Sequence, residues 1–335
     1  MGVLLPGCAS IDYYSQSIGG HLSLMAKRTE ITQLLADERT DPLLKTNLRS
    51  VLDIRDFAST ELSLPENDSY RSYVDVGQPY VLWNVVATGE FSLIPQSWCY
   101  PITGCVSYRG YYSHSRAQEF ANRLEKDNRD VFVGGVRAYS TLGWFDDPVL
   151  NTMLNHPFPY LAGVIFHELA HQQLYIKDDT TFNESFAVAV EREGIQRWLM
   201  RHDDTQGLIR YRENLLREER FVKLILDSRK RLAQLYTQPL DAEQMRAEKS
   251  EIFLDLREEY HRRSEWNGTG FSQWIDQDLN NAKLALIATY HDQVPGFMRL
   301  LEEHDGDLPA FYQEVEKIGS LSPEERTRRM RSLSE

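Results

Sequence analysis

Apolar residues fall at helical spacing towards both ends of this chain and at strand spacing only in between. From 11 to 62, residues such as Ile31, Leu34, Leu35, Leu43, Leu44, Leu48, Val51 and Leu52 repeat three and four apart, which predicts helices. Between 70 and 149 the period shortens. Runs such as Tyr80-Val81-Leu82-Trp83-Asn84-Val85-Val86 and Asp130-Val131-Phe132-Val133-Gly134-Gly135 are β-branched, aromatic and bounded by turn residues. Strands are expected there, with one helix over 115–128. Helical spacing returns at Pro157 and persists. Segments 208–235 and 242–263 predict two long amphipathic helices, separated by Gln238-Pro239-Leu240-Asp241, with Asp241 as N-cap of the second. They read as an antiparallel hairpin spanning about 206–264. The last segment, 279–330, is helical with breaks at Pro295, Gly306 and Pro323.

Composition narrows the class. Of 335 residues, 41% are hydrophobic and 26% charged, enough apolar material for a sizeable core in a soluble globular protein. The net charge of −13 argues against a broad nucleic-acid surface, which needs surplus Lys and Arg. Acidic and basic residues interleave along the hairpin, so its outer face is read as solvated rather than as a nucleic-acid arm. No apolar run approaches the length of a membrane span.

Residues 1–10, Met-Gly-Val-Leu-Leu-Pro-Gly-Cys-Ala-Ser, look like the tail of a bacterial lipoprotein signal ending at a Cys that becomes lipidated. The stretch before Cys8 is shorter than a working signal and lacks its basic start. Either the true start lies upstream, or Leu-Pro-Gly-Cys is accidental; the first is the expectation, with a lipid anchor at Cys8 that places the protein in the cell envelope on the periplasmic side. Cys99 and Cys105 flank Pro101 and Gly104, turn residues that can fold the chain back and bring the sulfurs together. Paired and reduced states are both open at this point. A zinc knuckle is disfavoured because no second Cys pair exists to complete it.

The chemistry-bearing signal is His167-Glu168-Leu169-Ala170-His171. Four residues apart on a helix, the two imidazoles share one face and can reach one ion, while Glu168 stands beside the first as a general base. Val164, Ile165, Phe166, Leu169 and Ala170 suit a buried helix, in which those ionisable groups require a partner. Thr180-Thr181-Phe182-Asn183-Glu184 opens the next helix and offers Glu184 as third ligand. Two His and one Glu leave a coordination position free, the arrangement of catalytic zinc, one ion per chain. As an ordinary residue, Glu184 would instead cap its helix. Glu191, two turns on, is read as a plain salt bridge in preference to a support for a ligand.

His-Glu-x-x-His followed by Asn183-Glu184 resembles the gluzincin metallopeptidases. Most of residues 8–300 resembles a bacterial family of predicted zinc aminopeptidases, many of them lipid-anchored in appearance. The resemblance is carried by Ser69-Tyr70-Arg71-Ser72-Tyr73, Trp83-Asn84-Val85, residues 99–111, Tyr139-Ser140-Thr141-Leu142-Gly143-Trp144-Phe145-Asp146-Asp147-Pro148, both metal motifs, and 280–290. It implies a zincin-like core, bound zinc and hydrolysis of peptide or protein substrates. Many gluzincins place an acidic residue four positions after the ligand Glu to orient a His; here that residue is Val188, so Asp146, Asp147 or Glu191 must serve.

The expected fold is α+β and helix-rich: a helical start and αβ sub-domain over 11–150, then a helical part over 151–335 carrying the metal and the long hairpin. In the expected mechanism, Glu168 takes the proton of a zinc-activated water and passes it to the leaving amine. Tyr290 and Tyr139 are the candidate donors to the oxyanion. The run 134–139 is either an edge strand for a peptide or a buried turn needing small residues. The competing readings are an envelope scaffold that binds zinc without hydrolysis, and a hydrolase of non-peptide substrates.

Overall fold

A computed structural model describes residues 7–100, 104–138, 140–154, 157–263, 266 and 270–334. Tyr139 and the side chain of Cys8 lie outside the described residues. The chain is a helix-rich α+β protein with small sheets. Its first part contains α1 (Gly7–Ala26), β1 (Thr29–Glu30), α2 (Ile31–Ala36), α3 (Pro42–Thr60), β2 (Ser72–Val74), β3 (Leu82–Gly89), β4 (Trp98–Tyr100), β5 (Gly104–Val106), β6 (Arg109–Tyr111), α4 (His114–Lys126), β7 (Arg129–Val136) and β8 (Val149–Leu150). The rest is helical: α5 (Asn151–Leu154), α6 (Phe158–Gln173), α7 (Thr180–Arg201), α8 (Thr205–Leu235), α9 (Ala242–Arg262), α10 (Phe271–Asp276), α11 (Asn281–His291), α12 (Val294–Glu303), α13 (Leu308–Gly319) and α14 (Pro323–Ser334).

The helical start is interrupted. Thr29–Glu30 leaves the helical period to pair antiparallel with Tyr73 and Ser72, and β2 pairs in parallel with β8. Thr29 is β-branched and gains ladder bonds there, so tertiary pairing overrides the local period. Further on, the expected breaks hold. Pro295 and Pro323 stand in the first turns of α12 and α14, where a missing N–H costs nothing, and Gly306 turns the chain at φ +75°. Asp241 caps α9 in a capping box with Gln244.

The sheet nearest the site runs β6-β3-β7, all antiparallel, with Asn84 opposite Gly110 on one side and Gly134 on the other. Alternation gives the two faces different work. Val85, Ala87, Tyr111 and Val131 pack on Ala117 and Ala121 of α4. Leu82, Asn84, Gly110 and Val136 look the other way, into a cleft. Among the described residues β7 is an edge strand as far as Val136, in line with one reading of 134–139. The small residue at 135 is needed too, because a Cβ there would lie 2.4 Å from the Tyr80 ring. β6 is blunted as an edge by α1, whose Gln16 donates to Gly110 O and accepts from Tyr112 N–H.

The main core gathers α3, α6, α7 and the last three helices around fully buried Phe166, Phe182, Phe186, Phe297 and Phe311. Each such ring contributes about 2–3 kcal/mol by leaving water. Helices α6 and α7 approach closely because Gly194 and Gly163 lack a Cβ: one there would meet the Phe166 ring at 2.5 Å and Ile195 at 2.7 Å. A second core, centred on Phe221, Tyr260 and Trp266, joins the α8–α9 hairpin to α11. Cys99 and Cys105 face each other across β4–β5 and form a disulfide. Among the described residues, no helix is long and apolar enough to cross a membrane.

Candidate metal centre

Helix α6 carries His167, Glu168 and His171 on the face turned from the main core, while Ile165, Phe166, Leu169 and Ala170 are fully buried against it. Helix α7 brings Glu184. Its N-cap is Asp179, whose side chain accepts from Phe182 N–H, so Glu184 is not a cap. Asn183 holds the intervening loop in place, donating to Ile176 O and accepting from Ile176 N–H at 2.7 Å each. That clamp sets the residue beside it, Glu184, opposite the two imidazoles.

The donor atoms converge. His167 Nε2 and His171 Nε2 lie 3.3 and 3.5 Å from Glu184 Oε2, and one ligand atom from each residue falls within 4.8 Å of the others. Ligand atoms about 2.0–2.1 Å from a tetrahedral zinc stand roughly 3.3–3.4 Å apart, so the spacing suits such an ion. The donor chemistry suits it as well: two imidazoles and a carboxylate. His171 Nδ1 is buried and finds no hydrogen-bond partner among the described residues. Its Nε2 is the ring nitrogen turned towards Glu184.

Electrostatics also call for a cation. Burial opposes charge on His167, yet hydrogen bonds to Glu184 and Glu191 and the field of nearby carboxylates raise its pKa well above the ordinary value. Burial pushes Glu184 up, but the two histidines outweigh it and bring its pKa down to about 2. Glu168 is raised, chiefly by burial and further by Glu184 and Glu191, against the pull of the histidines. Three carboxylates around two imidazoles hold a surplus of negative charge that a divalent ion neutralises.

Glu191 pairs with His167, a contact that fits both sequence readings of it, ion pair and support for a ligand. Its Oε2 lies 3.1 Å from His167 Nδ1. A carboxylate only accepts, so Nδ1–H donates and the Nε2 lone pair is left for the ion. Gly163, one helical turn before His167, gives it room: a Cβ there would come within 3.1 Å of Glu191 Oε1. Asp147 lies elsewhere, with Thr141 N–H donating to its Oδ2 and burial pushing its pKa up to about 7. The backbone carbonyl of Asp146 accepts from Arg28, and its side chain is exposed. Glu191→Gln is expected to weaken zinc affinity about 10–100-fold at neutral pH, read by competition with a chromogenic chelator. Unchanged affinity would return Glu191 to the role of a plain ion pair.

A cleft of about 410 Å³ opens over these residues. Tyr290, from α11, stacks its ring on His167 at 6.3 Å and hydrogen-bonds Glu184. Ser185 fixes it, donating to Tyr290 O and accepting from Gln293 N–H. Burial first, then Glu184, keeps the Tyr290 phenol protonated well beyond its usual range. Tyr108, Tyr175, Tyr13 and Tyr100 also line the cleft, and none was singled out from sequence. Tyr108 feels the same burial and the same Glu184 charge as Tyr290. The disulfide-linked β4–β5 hairpin supplies Tyr100 and Val106, and its Cys105 N–H donates to Asp178 in the loop between the metal helices.

Fold and site together define a helix-rich α+β protein with a His-His-Glu group that could hold a metal ion at the floor of a cleft, beside a free carboxylate. Residues 12–330 match the family described as putative aminopeptidase. The chain belongs to that family. No curated protein and no solved structure matches it.

Proposed function

We propose that this protein is a zinc-dependent peptidase with a zincin-like core, acting as an aminopeptidase, with Glu168 as general base. The observation that carries the reading is the convergence of His167, His171 and Glu184 within 4.8 Å, with Glu168 beside them in an open cleft. His167, His171 and Glu184 would hold a zinc ion, which would supply Lewis acidity towards a water and the scissile carbonyl. Glu168 takes the proton as the water oxygen bonds to the carbonyl carbon. The C–N bond then breaks, and Glu168 returns the proton to the leaving amine, giving an acid and an amine. Its raised pKa suits this exchange, since a base must also become an acid within one turnover. Tyr290, held protonated beside Glu184, donates to the oxygen on which charge develops.

The cleft suits an extended chain. Val136 and Ala138 line it at the end of β7, whose outer edge is taken at the far end by Asn280, which donates to Val131 O. A peptide can pair with the remaining edge. The test is a substrate panel on the zinc-loaded protein: unblocked peptides, their N-acetylated counterparts and matched esters. Cleavage of unblocked peptides at least about tenfold faster than of acetylated ones is expected. Equal rates on both would overturn the aminopeptidase assignment. Ester cleavage without any peptide cleavage would overturn the peptidase itself.

A further inference from the structure

We infer that α1 and the 141–146 loop form a surface that lies on a lipid bilayer, in its headgroup region. On α1 the outward face carries an apolar stripe, while Leu24 on the inward face is buried in the main core. Tyr13, Gln16, Ser17 and His21 turn inward, while Tyr14, Ile18 and Leu22, spaced four apart along one stripe, are 38%, 59% and 60% exposed. From Tyr13 to Ala26 the helix has no charged residue, in a chain where 26% of residues are charged. Water-facing helices carry charge on that side; a helix that faces lipid does not.

A second segment extends the stripe. Trp144 and Phe145 are 66% and 53% exposed, and the Phe145 ring lies 4.8 Å from the His21 ring of α1. Arg28, just past the helix, donates to the carbonyl of Asp146 and ties loop to helix. Exposed Trp and Phe beside an apolar stripe are the side chains that settle where hydrocarbon meets headgroup.

Two features favour lipid over a protein partner. Lys27 is exposed at the end of the stripe, beside Arg28, Glu30 and Asp146, and its amine can reach an anionic headgroup. At its other end Cys8, preceded by Leu4-Leu5-Pro6-Gly7, stands in the first turn of α1. An acyl chain on Cys8 would be a second attachment beside the stripe's own, and stable attachment takes two such signals. The surface stands without that modification and without the peptidase assignment, and its test separates it from both.

The full chain without an acyl group is mixed with vesicles of phosphatidylethanolamine and phosphatidylglycerol and sedimented. Wild type is expected to partition onto them. The double variant Ile18→Ser/Leu22→Ser and the single variant Trp144→Ala are expected to bind at least about tenfold more weakly. Vesicles with brominated acyl chains are expected to quench the fluorescence of wild type but not of Trp144→Phe, because the other five tryptophans are buried or half-buried. That second reading survives if the serine variants fold poorly. Wild type left in the supernatant, or equal quenching of both proteins, would overturn the inference. So would unaltered vesicle binding in variants that lose only turnover of long peptides, which would make the surface a substrate shelf.

Discussion

Glu168→Gln is expected to lower the rate of peptide hydrolysis by about 10³-fold or more while zinc stays bound at the wild-type level. The reasoning is specific to where Glu168 stands. Its neighbour His167 would bind through a ring nitrogen that faces Glu184, and Glu168 itself is not among the three converging donors. Replacing a carboxylate by an amide of the same shape leaves those donors, their spacing and the Glu191 contact intact. What is lost is a group able to take a proton from water and return it to nitrogen, worth typically 10²–10⁴ in rate. The measurement is kcat on an unblocked peptide alongside metal content by emission spectroscopy. Full activity with zinc in place would end the mechanism, and loss of zinc together with activity would move Glu168 from base to ligand.

The grouping of donors at this site was legible in the sequence where it is local. Two His four apart on a helix with apolar flanks need only the helix to converge, and the helix was written in its period. Glu184 was legible because a carboxylate among Phe182, Phe186 and Ala187 needs a positive partner. The rest depends on contacts between distant segments. Glu191 finds His167 only because Gly163 and Gly194 let α6 and α7 pack closely, a fact of packing with no signature of its own. Tyr108 and Tyr175 carry no local mark, since Tyr is as much at home in a core as in a cleft. At the level of the fold, the helix-rich α+β class, the 242–262 helix with its Asp241 cap and the breaks at Pro295 and Pro323 followed from local rules. The two-residue strand at Thr29 did not, because its pairing partner lies more than forty residues away at Ser72 and Tyr73. The disulfide was half legible: turn residues allowed it, but only the antiparallel register that sets Cys99 opposite Cys105 decides it.

Wild-type protein is expected to hold about one zinc ion per chain, and His171→Ala and Glu184→Ala are each expected to bind it at least about a hundredfold more weakly. Tight zinc sites built from four protein ligands release about 10–16 kcal/mol, so one ligand contributes about 2.5–4 kcal/mol, or two to three orders of magnitude. Glu184 should be the more sensitive of the two. It lies within 3.5 Å of both imidazoles, and its removal takes away the ionised carboxylate that balances an incoming cation. Glu184→Gln, which keeps the shape and removes only the charge, tests that point and is expected to bind zinc nearly as poorly as the alanine variant. A readout independent of activity is available. A ligand present at a hundred times its Kd adds about 3 kcal/mol to the folded state, so zinc should raise the Tm of wild type by a few degrees and leave the variants unmoved. Both copies of the experiment report on the same three residues. Zinc-induced stabilisation that persists in His171→Ala and Glu184→Ala would place the ion elsewhere in the chain, and a wild type that neither contains nor takes up zinc would reduce His167, His171 and Glu184 to a buried network of hydrogen bonds.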